Sequence, residues 1–264
     1  MLSDESREHA MAGPKADPDF PWLDEGQYFR FPPLRKASPE GIICSGGNLS
    51  PGMLLSAYRQ GIFPWFNDTD PILWWSPDPR FVLLPDELHV SDTMRKTLRK
   101  GRFRLTVDTA FDAVIEHCAG MPRPGQHGTW ITRDMQDAYR RMHALGYAHS
   151  AEAWLDNRLA GGLYGLSLGL AFFGESMFSL ESNASKAIFI PLVWYLKAAG
   201  CTLIDSQVHT NHVAGLGGRH LPRTTYLQLL EAALDAPTKV GSWTESFKDF
   251  PESPDYRHLL GTSH

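Results

Sequence analysis

The stretch AHSAEAWL-DN-RLAGGLYGLS, residues 148–167, decides how this chain is read. Two runs rich in apolar and aromatic residues flank Asp156-Asn157, and both turn residues tolerate the positive φ that a two-residue hairpin demands. The runs Ala148–Leu155 and Arg158–Ser167 are therefore predicted to pair as antiparallel strands, and Gly169 introduces a third strand at Leu170–Phe178. Downstream, the pattern predicts a helix over Asn183–Ala199, a strand over Thr202–Val208 and a helix over Thr224–Leu234. Pro191 is expected to kink the first of these or to mark its true start. Upstream the period is helical. Ser50-Pro51, then Leu54, Leu55 and Tyr58, then Gly61 read as N-cap, first-turn proline, apolar stripe and closing glycine. Ser91 to Gly101 follows the same logic. Asp108 is expected to open a helix with Phe111, Val114, Ile115 and Cys118 on one face. Thr132 opens another with Met135, Ala138, Tyr139, Met142 and Leu145, closed by Gly146. Helices, then antiparallel strands, then helix–strand–helix make the class α+β.

The length of 264 residues suits one large domain or two modest ones. With 42% apolar and 21% charged residues the chain has material for a sizeable core. The boundaries expected are a mobile tail over 1–20, a small Trp/Pro-rich N-terminal domain over 21–88, a larger domain over 89–235 and a C-terminal tail over 236–264. In that last segment Trp243, Phe247 and Phe250 offer anchors for docking on the body. The net charge of −5 is concentrated at the ends: residues 1–25 hold seven acids against two bases, and 235–264 hold five against three. The body between them is slightly basic, so an anionic partner is compatible with an acidic chain. Three scattered cysteines, Cys44, Cys118 and Cys201, fit neither a disulfide framework nor a zinc site and point to a reducing compartment. No apolar run approaches the ~18 residues of a membrane span, and the polar N-terminus lacks a signal-peptide core.

Four segments are candidates for chemistry. Trp65, Trp74 and Trp75 lie close together among Pro64, Pro71, Pro77 and Pro79, either as the core of a loop-rich subdomain or as a stacking platform for a flat ring. Arg95, Lys96, Arg99, Lys100, Arg102 and Arg104 are six cations in ten residues without an acid. They form either a solvated helix face or a phosphate-binding patch. Glu175 lies in an otherwise apolar strand, where an isolated carboxylate needs partners. It reads as a salt-bridge member or as a pocket acid. In Leu203-Ile-Asp-Ser-Gln207, strand geometry sends the Asp205 and Gln207 side chains to one face. That spacing predicts that Asp205 accepts from the Gln207 side-chain amide and fixes where its carbonyl points. His209 and His212 follow with no third ligand at a helpful spacing, so no metal is expected.

In order along the chain, Phe63–Phe66, Leu73–Arg80, Gly128–Ile131, Gly174–Ser179, Asn183–Lys186 and Leu203–Gln207 resemble the bacterial leucyl/phenylalanyl-tRNA–protein transferases over roughly residues 28–234. The resemblance implies a small N-terminal α/β domain followed by a GNAT-like acyltransferase domain, with a mixed, largely antiparallel sheet flanked by helices. It implies transfer of Leu or Phe, weakly Met, from aminoacyl-tRNA to the α-amine of proteins beginning with Arg or Lys, marking them for N-end rule degradation. The enzyme would be a cytoplasmic monomer without cofactor or metal. By matching motif, Asp205 and Gln207 are the catalytic pair and Glu175 a further active-site residue. Trp65 and Trp130 hold the terminal adenosine. Leu163, Phe172, Met177, Phe189 and Ile204 line the side-chain pocket. From its charge alone, the patch of Arg95, Lys96, Arg99 and Lys100 is expected to take tRNA phosphates. The chain departs from the family at Ser206, where Cys is common, at Thr210-Asn211, and in a long loop over Gly120–His127. The rival expectations are an acyl-CoA-dependent GNAT enzyme and a non-catalytic tRNA-binding protein. Against the first, Ser182–Lys186 lacks the glycines of a pyrophosphate loop. A thiol enzyme has no motif around any cysteine.

Overall fold

The computed structural model describes residues 17, 19–121 and 130–261. In chain order, the first elements are β1 (Ile42–Ser45), α1 (Pro51–Arg59), β2 (Phe63–Pro64), β3 (Leu73–Trp75) and β4 (Arg80–Leu83). Next come α2 (Asp92–Arg99), β5 (Arg104–Val107), α3 (Phe111–Gly120), α4 (Arg133–Ala144), and the meander β6 (Ala148–Leu155), β7 (Arg158–Leu168) and β8 (Ala171–Ser179). The chain continues with α5 (Ala184–Ala198), β9 (Leu203–Asp205), α6 (Asn211–Ala214), β10 (Arg219–Leu221), α7 (Arg223–Leu234), α8 (Thr244–Lys248) and α9 (Pro254–Leu260). The class is α+β as read from the sequence.

Two compact units result: 1–78 with 119–141, and 79–118 with 142–264. The sequence boundary near residue 88 thus falls earlier, and the first unit is discontinuous. The reason is a shared core. Met135, Ala138 and Tyr139 of α4 are buried, and the Tyr139 hydroxyl hydrogen-bonds that of Tyr58 on α1. In the same unit β1, β3 and β2 form a small antiparallel sheet. Trp74 is core, 1% exposed, with its indole N–H donating to the Gly46 carbonyl.

The second unit is built on a seven-stranded sheet of order β10-β4-β9-β8-β7-β6-β5. Every neighbouring pair is antiparallel except β8–β9. Asp156 and Asn157 have φ of 49° and 60°, the two positive values a tight β6–β7 turn requires. Helix α5 packs on β6, β7 and β8 and is buried from Ala184 to Leu196 except at Lys186. Pro191 neither starts nor ends it; a helix buried on nearly every side keeps its course through packing despite one missing donor.

Several local expectations change. Asp108 does not cap α3: its backbone is left-handed, φ 57°, and its carboxylate instead accepts from the Ser150 and Trp243 N–H groups and pairs with His149. The last strand of the sheet's central region stops at Asp205 rather than Val208, because Gln207 is left-handed at φ 56°. Residues 236–261 are folded rather than tail-like. The Trp243 indole stacks on His149 at 3.6 Å and 11°, and Phe247, Tyr256 and Leu260 join the core of this unit. The expected N-terminal tail lies almost wholly outside the described residues.

Candidate active site

Strands β7 and β8 carry the first part of the site. Their register runs Leu163↔Met177 and Tyr164↔Ser176, then Gly165↔Gly174, leaving Glu175 unpaired. A bulge of this kind re-aims one side chain and resets the alternation of faces. Phe172 and Met177, five residues apart, consequently share a face with Leu163. Ile204 joins them through Phe172↔Ile204 in the parallel β8–β9 pair. Leu163, Phe172, Phe189 and Ile204 lie in one apolar cluster, with Met177 packed against it. The first four are 1–3% exposed, while Met177 is half-buried. Only glycine fits at 165, opposite the bulge, where a Cβ would stand 2.3 Å from the Phe173 carbonyl oxygen.

The second part is polar and centred on Asp205, 0% exposed. Arg80, at the start of β4, donates from Nε to Asp205 Oδ1 (2.8 Å) and from Nη2 to Oδ2 (2.7 Å). The Tyr226 hydroxyl on α7 donates to Oδ2 at 2.8 Å, and the guanidinium carbon lies 4.6 Å from the Tyr226 ring centroid. Burial holds the Tyr226 phenol well above the usual range, reinforced by the neighbouring Asp205 and opposed by Arg80. It therefore acts as a donor. The Gln207 backbone N–H donates to Asp205 Oδ1 at 2.9 Å, whereas its side-chain amide Nε2 donates to Glu175 Oε1 at 3.2 Å. This corrects the predicted bond: Asp205 holds the Gln207 main chain, and Glu175 holds its side chain. Side chains two apart share a face only in a strand that runs through residue 207, and the left-handed turn there separates the two. The amide's carbonyl oxygen is thereby set opposite the Glu175 contact.

Trp65 and Trp130 both belong to the first unit and both are half-buried. Trp65 leans on Trp75 at 5.3 Å and 55°, and the Trp75 indole N–H donates to the Trp65 carbonyl at 2.6 Å. In the second unit the cationic run divides. Arg95 is committed to structure, donating to the Leu259 carbonyl at the end of α9 with its guanidinium 5.9 Å from the Trp194 ring. Lys96, Arg99 and Lys100 are exposed. Arg102 pairs with Glu181 at 2.9 Å, and Arg104 lies over Trp154. A groove of about 750 Å³ runs alongside, lined by Arg99, Arg102, Arg104 and, from the C-terminal helices, Lys248, Glu252 and Tyr256.

The remaining candidates fall elsewhere. His209 packs on Phe81 and His220, and His212 on Phe189. Thr210 caps α6, its hydroxyl accepting from the Val213 N–H. Burial pushes the Cys201 thiol up to about 11, which removes it as a nucleophile near neutral pH. The loop over Gly120–His127 falls mostly outside the described residues. Sequence reasoning quoted Arg80 within a motif but gave it no role, and passed over Tyr226 altogether. A cation opening the otherwise apolar run Phe81–Leu84 was the available signal, because a buried guanidinium requires a buried anion.

The family described as leucyl/phenylalanyl-tRNA protein transferase matches residues 82–231, and its N-terminal domain matches 47–78. The leucyl/phenylalanyl-tRNA–protein transferase of Syntrophus aciditrophicus is 55% identical over 230 residues, 87% of this chain and 95% of that protein. The enzymes of the same description from Myxococcus xanthus and Pseudomonas fluorescens are 52% and 53% identical. They are covered over 92% and 96% of their lengths by 81% and 82% of this chain. Likeness to solved structures is distant: L-PGS from Bacillus licheniformis aligns over 61% of this chain and 54% of its own, with 12% identity and a TM-score of 0.35. The chain belongs to the leucyl/phenylalanyl-tRNA–protein transferase family.

Proposed function

We propose that this aminoacyltransferase moves Leu or Phe, and weakly Met, from aminoacyl-tRNA to the α-amine of proteins beginning with Arg or Lys. The product carries a new peptide bond and is marked for N-end rule degradation in the cytoplasm, with the enzyme acting as a monomer. The observation that carries the reading is the Gln207 side chain, tied by its amide to Glu175 at 3.2 Å and so left with its carbonyl as an acceptor. The second unit is read as a GNAT-like acyltransferase fold, a reading supported by its mixed sheet with the β8–β9 parallel pair.

The chemistry asks little of the protein in driving force. The donor is an ester and already activated. The attacking α-amine has an ordinary pKa of about 7.7–8.0, so a useful fraction is neutral at pH 7. Its nitrogen attacks the ester carbonyl carbon, the C–N bond forms, and the C–O bond to the ribose breaks. The ribose oxygen leaves with the proton that the amine gives up. Gln207 Oε1 accepts from the amine N–H, aiming the lone pair and stabilising the positive charge that develops on nitrogen. Leu163, Phe172, Met177, Phe189 and Ile204 supply the apolar surface for the transferred side chain. Such a surface separates similar apolar groups by only about 1–3 kcal/mol per methylene, which accounts for leakage to Met. Trp65 and Trp130 stack the terminal adenosine. Lys96, Arg99 and Lys100, with the groove that Lys248 completes, take backbone phosphates of the tRNA body.

The test is transfer of labelled Leu from charged tRNA to a peptide beginning with Arg, beside the same peptide beginning with Ala. Labelling of the Arg peptide alone is expected. Equal labelling of both removes the acceptor reading, and tRNA binding without labelling favours a non-catalytic tRNA-binding protein.

A further inference from the structure

We infer that Arg80 and Tyr226 are positioning residues of the transfer reaction, acting through Asp205 on the main chain of Gln207. The inference rests on the role proposed above for the Gln207 carbonyl. Ile204 and Asp205 are consecutive in β9, so their side chains leave opposite faces of the sheet. Ile204 shares its face with the apolar residues around Phe172, through the register of β8 and β9. Asp205 therefore stands on the far face, with Arg80 and Tyr226, and all three are 0% exposed.

The hydrogen bonds of Asp205 leave nothing over for a substrate. Oδ1 accepts from Arg80 Nε and from the Gln207 N–H; Oδ2 accepts from Arg80 Nη2 and from the Tyr226 hydroxyl. Two carboxylate oxygens offer about four lone-pair sites, and all four are filled. An amine arriving from solvent can neither reach this group nor pass it a proton. What Asp205 does reach is the N–H of a residue held at φ 56°, a conformation that a glutamine adopts only when its surroundings impose it. Arg80 supplies the opposite charge that a buried carboxylate requires. Tyr226 fixes the second oxygen and so the rotation of the carboxylate. Together they set the direction in which the Gln207 side chain departs toward Glu175.

Tyr226→Phe tests this with minimal loss of packing. It is introduced into the wild-type chain and into Gln207→Ala, and kcat, KM for leucyl-tRNA and Tm are measured for all four proteins. In the wild-type background kcat should fall about tenfold at unchanged KM. In the Gln207→Ala background, where no side chain remains to be aimed, the same change should move kcat less than twofold while lowering Tm equally. Equal fold losses in both backgrounds, or no loss in the wild type, overturn the inference and leave the buried triad as packing alone. If Gln207→Ala turns over like the wild type, the proposed chemistry at Gln207 falls, and this inference with it.

Discussion

Gln207 is gripped at two points, its main chain by Asp205 and its amide by Glu175. Removing the side chain in Gln207→Ala should therefore lower kcat by about a hundredfold with KM for leucyl-tRNA roughly kept, the size of effect typical for one preorganised polar group. Steady-state kinetics with an Arg-initiated peptide read both constants. Gln207→Glu is the sharper probe. It sets two carboxylates within hydrogen-bond reach, and such pairs hold one proton between them. Activity should survive near pH 6 and fall about tenfold relative to wild type by pH 8. Glu175→Gln combined with Gln207→Glu should recover it, since the amide is restored on the other partner. The identities of these three polar residues were legible in the sequence, but their connections were not. A period of two places Asp205 and Gln207 on one face only while the backbone stays extended. Nothing in Asp-Ser-Gln announces a left-handed glutamine, a position where glycine or asparagine is the usual sign.

At the scale of elements, helix α2 and the C-terminal helices belong together. Arg95 reaches the Leu259 carbonyl, whereas Lys96, Arg99 and Lys100 are exposed, the three proposed above to take tRNA phosphates. Neutralising these three with Lys248 should weaken full-length leucyl-tRNA at least tenfold and leave a short leucyl-adenosine analogue within about twofold. Filter binding across a salt series reports the phosphate contacts directly, as a shallower dependence of log K on log salt. The hairpin, α1 and α2 were readable from caps and turn residues, because those signals are local. The fate of residues 236–261 was not. Trp243 docks through a stack on His149 and a bond to Asp108, partners 94 and 135 positions away in the chain. Trp243→Ala should cost about 3–5 kcal/mol, measured as a shift in the urea midpoint. Segment composition alone resembled a tail because the anchoring aromatics are few and widely spaced.

For the molecule as a whole, stability should depend on pH through buried histidines. Burial, the largest influence, depresses His149 below the ordinary imidazole value despite the pull of Asp108. His212 is depressed likewise by burial, with Lys186 adding to it. Among the described residues neither Nε2 has a hydrogen-bond partner, so a second ring proton has no acceptor in the folded state. The unfolded chain takes up protons near pH 6.5 and the folded chain resists. The contribution of these groups is therefore complete above pH 6.5 and is lost as pH falls below it toward their folded values. Urea midpoints between pH 7.5 and 5 should decline, and His149→Gln should show the smaller decline. No helix among the described residues is long and apolar enough to cross a membrane.

The bulge at Glu175 uncouples one side chain from the frame of the strand that carries it. Excising the one residue would close the β7–β8 ladder without a gap. Seen from Gly174, every side chain that follows would keep its face, since Tyr164↔Ser176 and Leu163↔Met177 are already the next rungs. Met177 would stay beside Leu163 and Phe178 beside Gly162, and the loop into α5 would leave from the same side of the sheet. Losing this single codon would accordingly remove one acid and its hold on the Gln207 amide while the apolar surface around it stays in frame.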